Sequence, residues 1–194
     1  YDNIVAILGQ PNTWDTSQIT NMDNLLSVNV IADWNEDIST WNTSNVTSMY
    51  KMFTGPWGGT SFNQNINTKQ VTVNGNTYTA WEVGNVTDMQ YMFYQNTAFS
   101  QDINDWNINS SANLTSMFHN SGFNGYTLNG THWMNHTGAR TNMFNNVTSY
   151  IPVSFEAVSG EAITRNDIQL AANEWNTQYD NIVAILGQPN TWDT

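Results

Sequence analysis

The chain has 194 residues with four basic against sixteen acidic side chains, a net charge of −12; phosphate backbones and anionic membranes are held by Lys and Arg, so this balance excludes them as partners. Apolar residues make up 39%, enough for a core, but charged residues only 10%, far below the roughly 25% of an ordinary soluble domain; 31 Asn and 24 Thr supply the polar surface instead. The absence of cysteine excludes disulfides and thiolate metal sites, and no stretch reaches the roughly 18 apolar residues that insert into a membrane.

Residues Tyr1–Thr16 read YDNIVAILGQPNTWDT, and Tyr179–Thr194 read the same sixteen letters, a period of 178 residues. Recurrence of this kind marks a tandem array, with copies of itself as the natural partner of the module. Inside it runs a shorter period anchored at Trp14, Trp41, Trp81, Trp106 and Trp133. Residues 1–150 are therefore expected to hold about five units of roughly 25 residues.

Five, eight, eleven and twelve residues after the anchors come apolar groups. Ile19, Val46 and Val86 are followed by Met22, Met49, Met89 and Leu114, then by Leu25, Met52, Met92 and Met117, then by Leu26, Phe53, Phe93 and Phe118. Positions i, i+3, i+6 and i+7 predict a short helical or 3-10 turn. Before the anchors, Trp34 with Ile38, Phe62 with Ile66 and Phe99 with Ile103 lie in segments such as NEDISTWNTS and SQDINDWNIN, each expected to be one brief strand between polar turns. Stacked units would bury Trp41, Met49, Met52, Phe53, Ile66, Trp81, Met89, Met92, Phe93, Ile103 and Trp106 as one core, with an Asn ladder facing inward at the corners. The expected fold is a leucine-rich-repeat-like right-handed β-solenoid of short parallel strands.

Three segments depart from the period. The stretch 67–80 is an insertion that alternates around Asn74-Gly75, a β-hairpin signal. Gly55-Pro56-Trp57-Gly58-Gly59 is expected to protrude and display Trp57 as a ligand loop. In the fifth unit Gly138 and Thr141 replace apolar positions, so the stack should fray there. Residues 151–178 read as a linker strand and an entry-cap helix for the next module, with Thr164 as cap, Asp167 in its first turn and Ile168, Ala171, Ala172 and Trp175 on one face; 179–194 begin the next copy.

WNTSNVTSMYKMF, WEVGNVTDMQYMF, FNQNI and FSQDINDWN, with the pattern W-(D/N)-x-S-x-V-T-x-M-x-x-M-F in full and partial copies, resemble the BspA-like surface-protein repeats, a leucine-rich-repeat-related family also described as a mycoplasma-type domain of unknown function. The segment ITRNDIQLAANEWNT leading into NTWDTSQITNM resembles the entry segment of its members. The resemblance implies an extracellular, repeat-built surface protein used for adhesion or as an envelope component, and brings no catalytic residues.

Chemistry-bearing candidates are sparse, and no enzymatic site is expected. His132 and His136 stand at i and i+4, a metal-sharing spacing on a helix, but flanking glycines and the lack of a third ligand favour two surface histidines in a loop; His119 has no evident partner. Glu36-Asp37 and Asp102 with Asp105 lie at turn edges where calcium would find oxygen ligands, yet the EF-hand spacing is absent and solvated turn acids are the simpler reading. No cofactor is expected. Sequons stand at Asn42, Asn45, Asn85, Asn109, Asn113, Asn129, Asn135 and Asn146, and Asn-Val-Thr recurs at one corner in Asn45 and Asn85, where N-linked glycans would project. The function expected is that of a structural module of an extracellular, cell-surface fibril, stalk or layer. The alternative is an adhesin or carbohydrate-binding module that meets cell-surface or matrix glycans through Trp57 and the hairpin 69–80.

Overall fold

A computed structural model describes residues 9–27, 34–55, 61–123, 128 and 130–147. Tyr1–Tyr150 forms one compact unit. The expected strand and helix of 151–178, the repeated segment 179–194 and the Trp57 loop lie outside the described residues.

Each tryptophan unit contributes one coil, and successive coils are joined by backbone hydrogen bonds in constant register. The N–H groups of Met22, Asn24 and Leu26 in coil 1 donate to the carbonyls of Ser48, Tyr50 and Met52 at 2.9, 2.9 and 3.0 Å. Met49, Lys51 and Phe53 repeat the step onto Asp88, Gln90 and Met92, and Met89, Tyr91 and Phe93 onto Asn113, Thr115 and Met117. Leu114, Ser116 and Phe118 then donate to Ala139, Thr141 and Met143 of coil 5. Parallel bridges link Asn21, Ser48, Asp88 and Asn113 along this face.

Two local expectations are corrected by this pattern. The segments expected to be helical turns are not helices, because alternate N–H groups leave for the next coil while the intervening ones close tight turns, Met52 N–H onto Met49 and Met92 N–H onto Met89. Asn24, Lys51, Tyr91, Ser116 and Asn142 sit at φ 54 to 57°, a left-handed conformation that costs non-glycine residues of order 1–2 kcal/mol each and that at Lys51, Tyr91 and Ser116 is held by the ladder on either side. Nor are the segments around Ile38 and Ile103 strands. Asp37, Asn65 and Asp102 accept the N–H two residues on, from Ser39, Asn67 and Asn104. Asp and Asn there turn the chain rather than extend it.

Lys69–Val73 (β1) and Asn76–Ala80 (β2) form the antiparallel hairpin, with Lys69 opposite Ala80 and Val73 opposite Asn76. Asn74 and Gly75 both take positive φ, 51 and 81°, the geometry a two-residue turn needs to match strand twist. Tyr78 ties the hairpin to coil 2 by donating its hydroxyl to the Thr40 carbonyl at 2.6 Å. Thr131–Met134 (α1) is a single helical turn in coil 5.

The core is three aromatic columns along the stack. Phe53, Phe93, Phe118 and Phe144 stack at 5.3, 5.5 and 5.5 Å. Trp34, Phe62, Phe99 and Phe123 follow at 6.1, 6.3 and 6.2 Å. The anchors form the third column, Trp14 on Trp41 at 6.3 Å and Trp81, Trp106 and Trp133 at 6.2 and 6.4 Å. Each buried anchor also donates Nε1–H to a carbonyl one unit back, Trp41 to Pro11, Trp81 to Ile38, Trp106 to Ile66 and Trp133 to Ile103. All eleven residues expected in the core are buried. Coil 5 packs tightly enough that a Cβ at Gly138 would stand 2.2 Å from the Ala112 carbonyl.

Candidate functional site

The outer face at the sequon corner is built from the alternation of the chain. Val46 and Val86 are fully buried, so Asn45, Thr47, Asn85 and Thr87 on either side point outward and are exposed. The asparagines form an outward ladder rather than the inward one expected: Asn45 donates Nδ2–H to the Ser17 carbonyl and Asn85 to the Ser44 carbonyl, both at 2.8 Å. Asn109 extends it, donating to Gly84 at 3.1 Å. Thr47 and Thr87 add hydroxyl bonds to the Thr20 and Thr47 carbonyls at 3.1 and 3.2 Å. Each outward side chain thus closes a rung to the coil before it, and one amide hydrogen of Asn45 and Asn85 remains directed at solvent.

Of the other sequon asparagines, Asn42, Asn109 and Asn113 are half-buried. Asn42 and Asn109 accept both the N–H and the hydroxyl of the serine two residues on, Ser44 and Ser111. Asn113 accepts the Thr115 N–H, and Asn146 donates to Asn120 Oδ1 at 2.9 Å. Asn135 is exposed at the end of α1, and Asn129 lies outside the described residues.

A second outward feature was not read from the sequence. Tyr50, Lys51, Tyr91, Tyr94 and His119 form a half-exposed strip across three coils. The Lys51 ammonium sits 5.0 and 5.4 Å from the Tyr50 and Tyr91 ring centres, and Tyr94 stacks on the His119 ring at 5.0 Å. Its only sequence signal is aromatics beside the buried methionines, at positions that become neighbours only once the register is known.

Several acids bond to the neighbouring coil. Asp37 accepts Asn12 Nδ2–H at 3.1 Å and Asp105 accepts Asn67 Nδ2–H at 2.9 Å; they hold neighbouring coils. Burial works to raise the Asp37 pKa, but the Ser39 amide and hydroxyl, Asn12 and the Lys69 charge outweigh it and hold it below its ordinary value. Asp23 replaces the missing side-chain acceptor at Ser48, taking the Tyr50 N–H at 2.9 Å and the Ser48 hydroxyl. Glu82 pairs instead with Asn107. Among the described residues no cluster of three His, Asp or Glu side chains is placed to hold a metal, and no helix is long and apolar enough to cross a membrane.

The histidine pair is not two surface side chains. His132 is exposed, but His136 is 4% exposed, its Nε2 2.9 Å from the Ala112 carbonyl and its buried Nδ1 without a partner. Burial lowers its pKa, the Ala112 bond opposes this and the Arg140 charge adds to it; burial lowers that of His119 as well. Unfolded histidine takes its proton near pH 6.5, so the contribution of both to stability is present above that pH and declines as pH falls towards their lowered folded values. The melting temperature is expected to drop on titration from pH 7.5 to 5.5, and less so in His136→Gln. An unchanged slope in that variant would count against the buried neutral imidazole.

A family model described as "Mycoplasma protein of unknown function, DUF285" matches residues 2–78 and 68–153. No curated protein and no solved structure matches the chain.

Proposed function

We propose that this chain, which belongs to the DUF285 family of Mycoplasma proteins of unknown function, is a structural module recurring every 178 residues in an extracellular fibril, stalk or surface layer. The observation that carries the reading is the constant-register ladder from coil 1 to coil 5, in a sequence that begins again at Tyr179. In such an array each unit contacts only its neighbours, so function lies in length, stiffness and surface display. On this reading the stack is a right-handed, leucine-rich-repeat-like β-solenoid, and within the family the module is a BspA-like surface repeat. No reaction is assigned to it. Gold-labelled antibody against the chain should mark native extracellular filaments at regular intervals; label confined to the cell interior or to unassembled protein would overturn the reading.

The outward asparagine ladder supports N-glycosylation. An N-linked sugar replaces one Nδ2 hydrogen, and at Asn45 and Asn85 the other still closes the rung to Ser17 or Ser44. The native protein is expected to exceed the mass of its bare polypeptide, with part of the excess lost in Thr47→Ala and Thr87→Ala, which destroy those two sequons. An intact mass equal to the polypeptide would exclude the modification.

A second reading, an adhesin that meets glycans, is favoured by the exposed hairpin residues Lys69, Gln70, Thr72 and 74–77. Trp57→Ala separates the two: it abolishes attachment to glycan if the chain is an adhesin and leaves a fibril intact.

A further inference from the structure

The ladder has a direction. At these ladder positions the N–H groups of one coil point to the next and the carbonyls of the next point back, whereas just before them the bond runs the other way, from the Thr47, Thr87 and Asn113 N–H groups to the Thr20, Thr47 and Thr87 carbonyls. Coil 1 therefore turns the Asn21, Asp23 and Leu25 carbonyls to its open side, where they accept no bond among the described residues. Coil 5 turns out the Arg140 and Asn142 N–H groups, which donate none there. At these positions one edge of the stack offers carbonyls and the other N–H groups.

The acceptor edge is also an unfinished core surface. Val46 and Val86 are fully buried but their equivalent Ile19 is 39% exposed; Met52, Met92 and Met117 are fully buried but their equivalent Leu25 is 41% exposed. At the donor edge Asn142 keeps the left-handed conformation that the stacked coils use, although nothing described continues the stack. Arg140 puts a cation on this edge, and coil 1 carries Asp15 and Asp23.

We propose that the acceptor edge of coil 1 is a docking surface for coil 5 of another copy of this chain, so that the ladder runs through the junction. This rests on the tandem reading and goes beyond it: the copies are stacked as well as strung together. The register follows from the steps within the chain. Leu114 N–H meets Ala139 as Met89 meets Asn113, so Arg140 N–H meets Asn21 of the next copy and Asn142 N–H meets its Asp23. Ala139 then lies opposite Asn21 in a parallel bridge, like Asp88 opposite Asn113. Ladder neighbours lie about 4.8 Å apart, within the Cα range a disulfide spans.

The chain has no cysteine, so introduced thiols report unambiguously. In a two-copy chain, Ala139→Cys in the first copy with Asn21→Cys in the second should oxidise to an intramolecular disulfide. The reversed pair, Asn21→Cys in the first copy and Ala139→Cys in the second, lies at the two outer ends and should keep its thiols. In the unsubstituted two-copy chain, exchange of the Arg140 and Asn142 amides of the first copy should slow at least about ten-fold relative to one copy, as bonded amides do. Free thiols in the first pair, cross-linking of both pairs alike, or unchanged amide exchange would each overturn the proposal. A filament of tandem copies with free thiols defeats stacking alone; a cross-linked pair in a protein that forms no filament in its native setting defeats the fibril reading alone.

Discussion

Phe93→Asp is expected to abolish the cooperative unfolding transition. The ring is fully buried and lies between Phe53 at 5.3 Å and Phe118 at 5.5 Å, with Phe99 at 3.9 Å. Removing it costs about 3–5 kcal/mol. The carboxylate that replaces it would stand among methionine and phenylalanine side chains with no cation at hand, which adds several kcal/mol or forces it to take up a proton. The total stability of a domain is about 5–15 kcal/mol, and Phe93 is in the middle coil, so both halves of the stack lose a neighbour together. Met92→Asp should behave the same way. Circular dichroism during denaturation is the check, and a sharp transition at the wild-type midpoint would remove Phe93 from the core.

The second large effect is at Trp106. Its indole contacts Trp81 and Trp133 and donates to the Ile66 carbonyl at 2.7 Å, so it combines a packing contact with an inter-coil bond. Trp106→Ala should cost about 3–5 kcal/mol for the cavity. Trp106→Phe keeps much of the packing and leaves the carbonyl unpaired, an expected cost of about 1–3 kcal/mol. Denaturant titration of the pair separates the two contributions. If Phe and Ala were equally harmful, the bond to Ile66 would be the main role of the indole; if Phe were harmless, that bond would contribute nothing.

The sequence carried the period and the composition of the core but not the path of the backbone. Tryptophans 25 to 40 residues apart locate the coils because each fills one place in a column, and Asn74-Gly75 locates a hairpin because that turn needs two positive φ angles. Met49, Met52 and Phe53 were misleading for a physical reason. Side chains at i, i+3 and i+4 share a face on a helix, and they also share one on a coil of tight turns with a left-handed residue between them. Periodicity alone does not separate the two, and nothing about Lys51, Tyr91 or Ser116 marks a positive φ. That conformation is imposed by the neighbouring coils, as is the Tyr50–Tyr91–Tyr94 strip.

His136 failed to show for a related reason. Read alone, Gly130 to Gly138 is a polar loop, but the close approach at Gly138 draws the imidazole onto Ala112. The sequons were visible as letters. Which of them stand exposed on a rung to the coil before depended on the bonds to Ser17 and Ser44, between residues 28 and 41 positions apart.

Cryo-electron microscopy of the native extracellular material, reconstructed along the particle axis, decides whether the module builds a fibril. A tandem fibril has filaments whose axial repeat contains one 178-residue module, with coils stacked in one direction and added density at Asn45 and Asn85. Isolated globular particles, or filaments whose repeat does not correspond to this module, would contradict it.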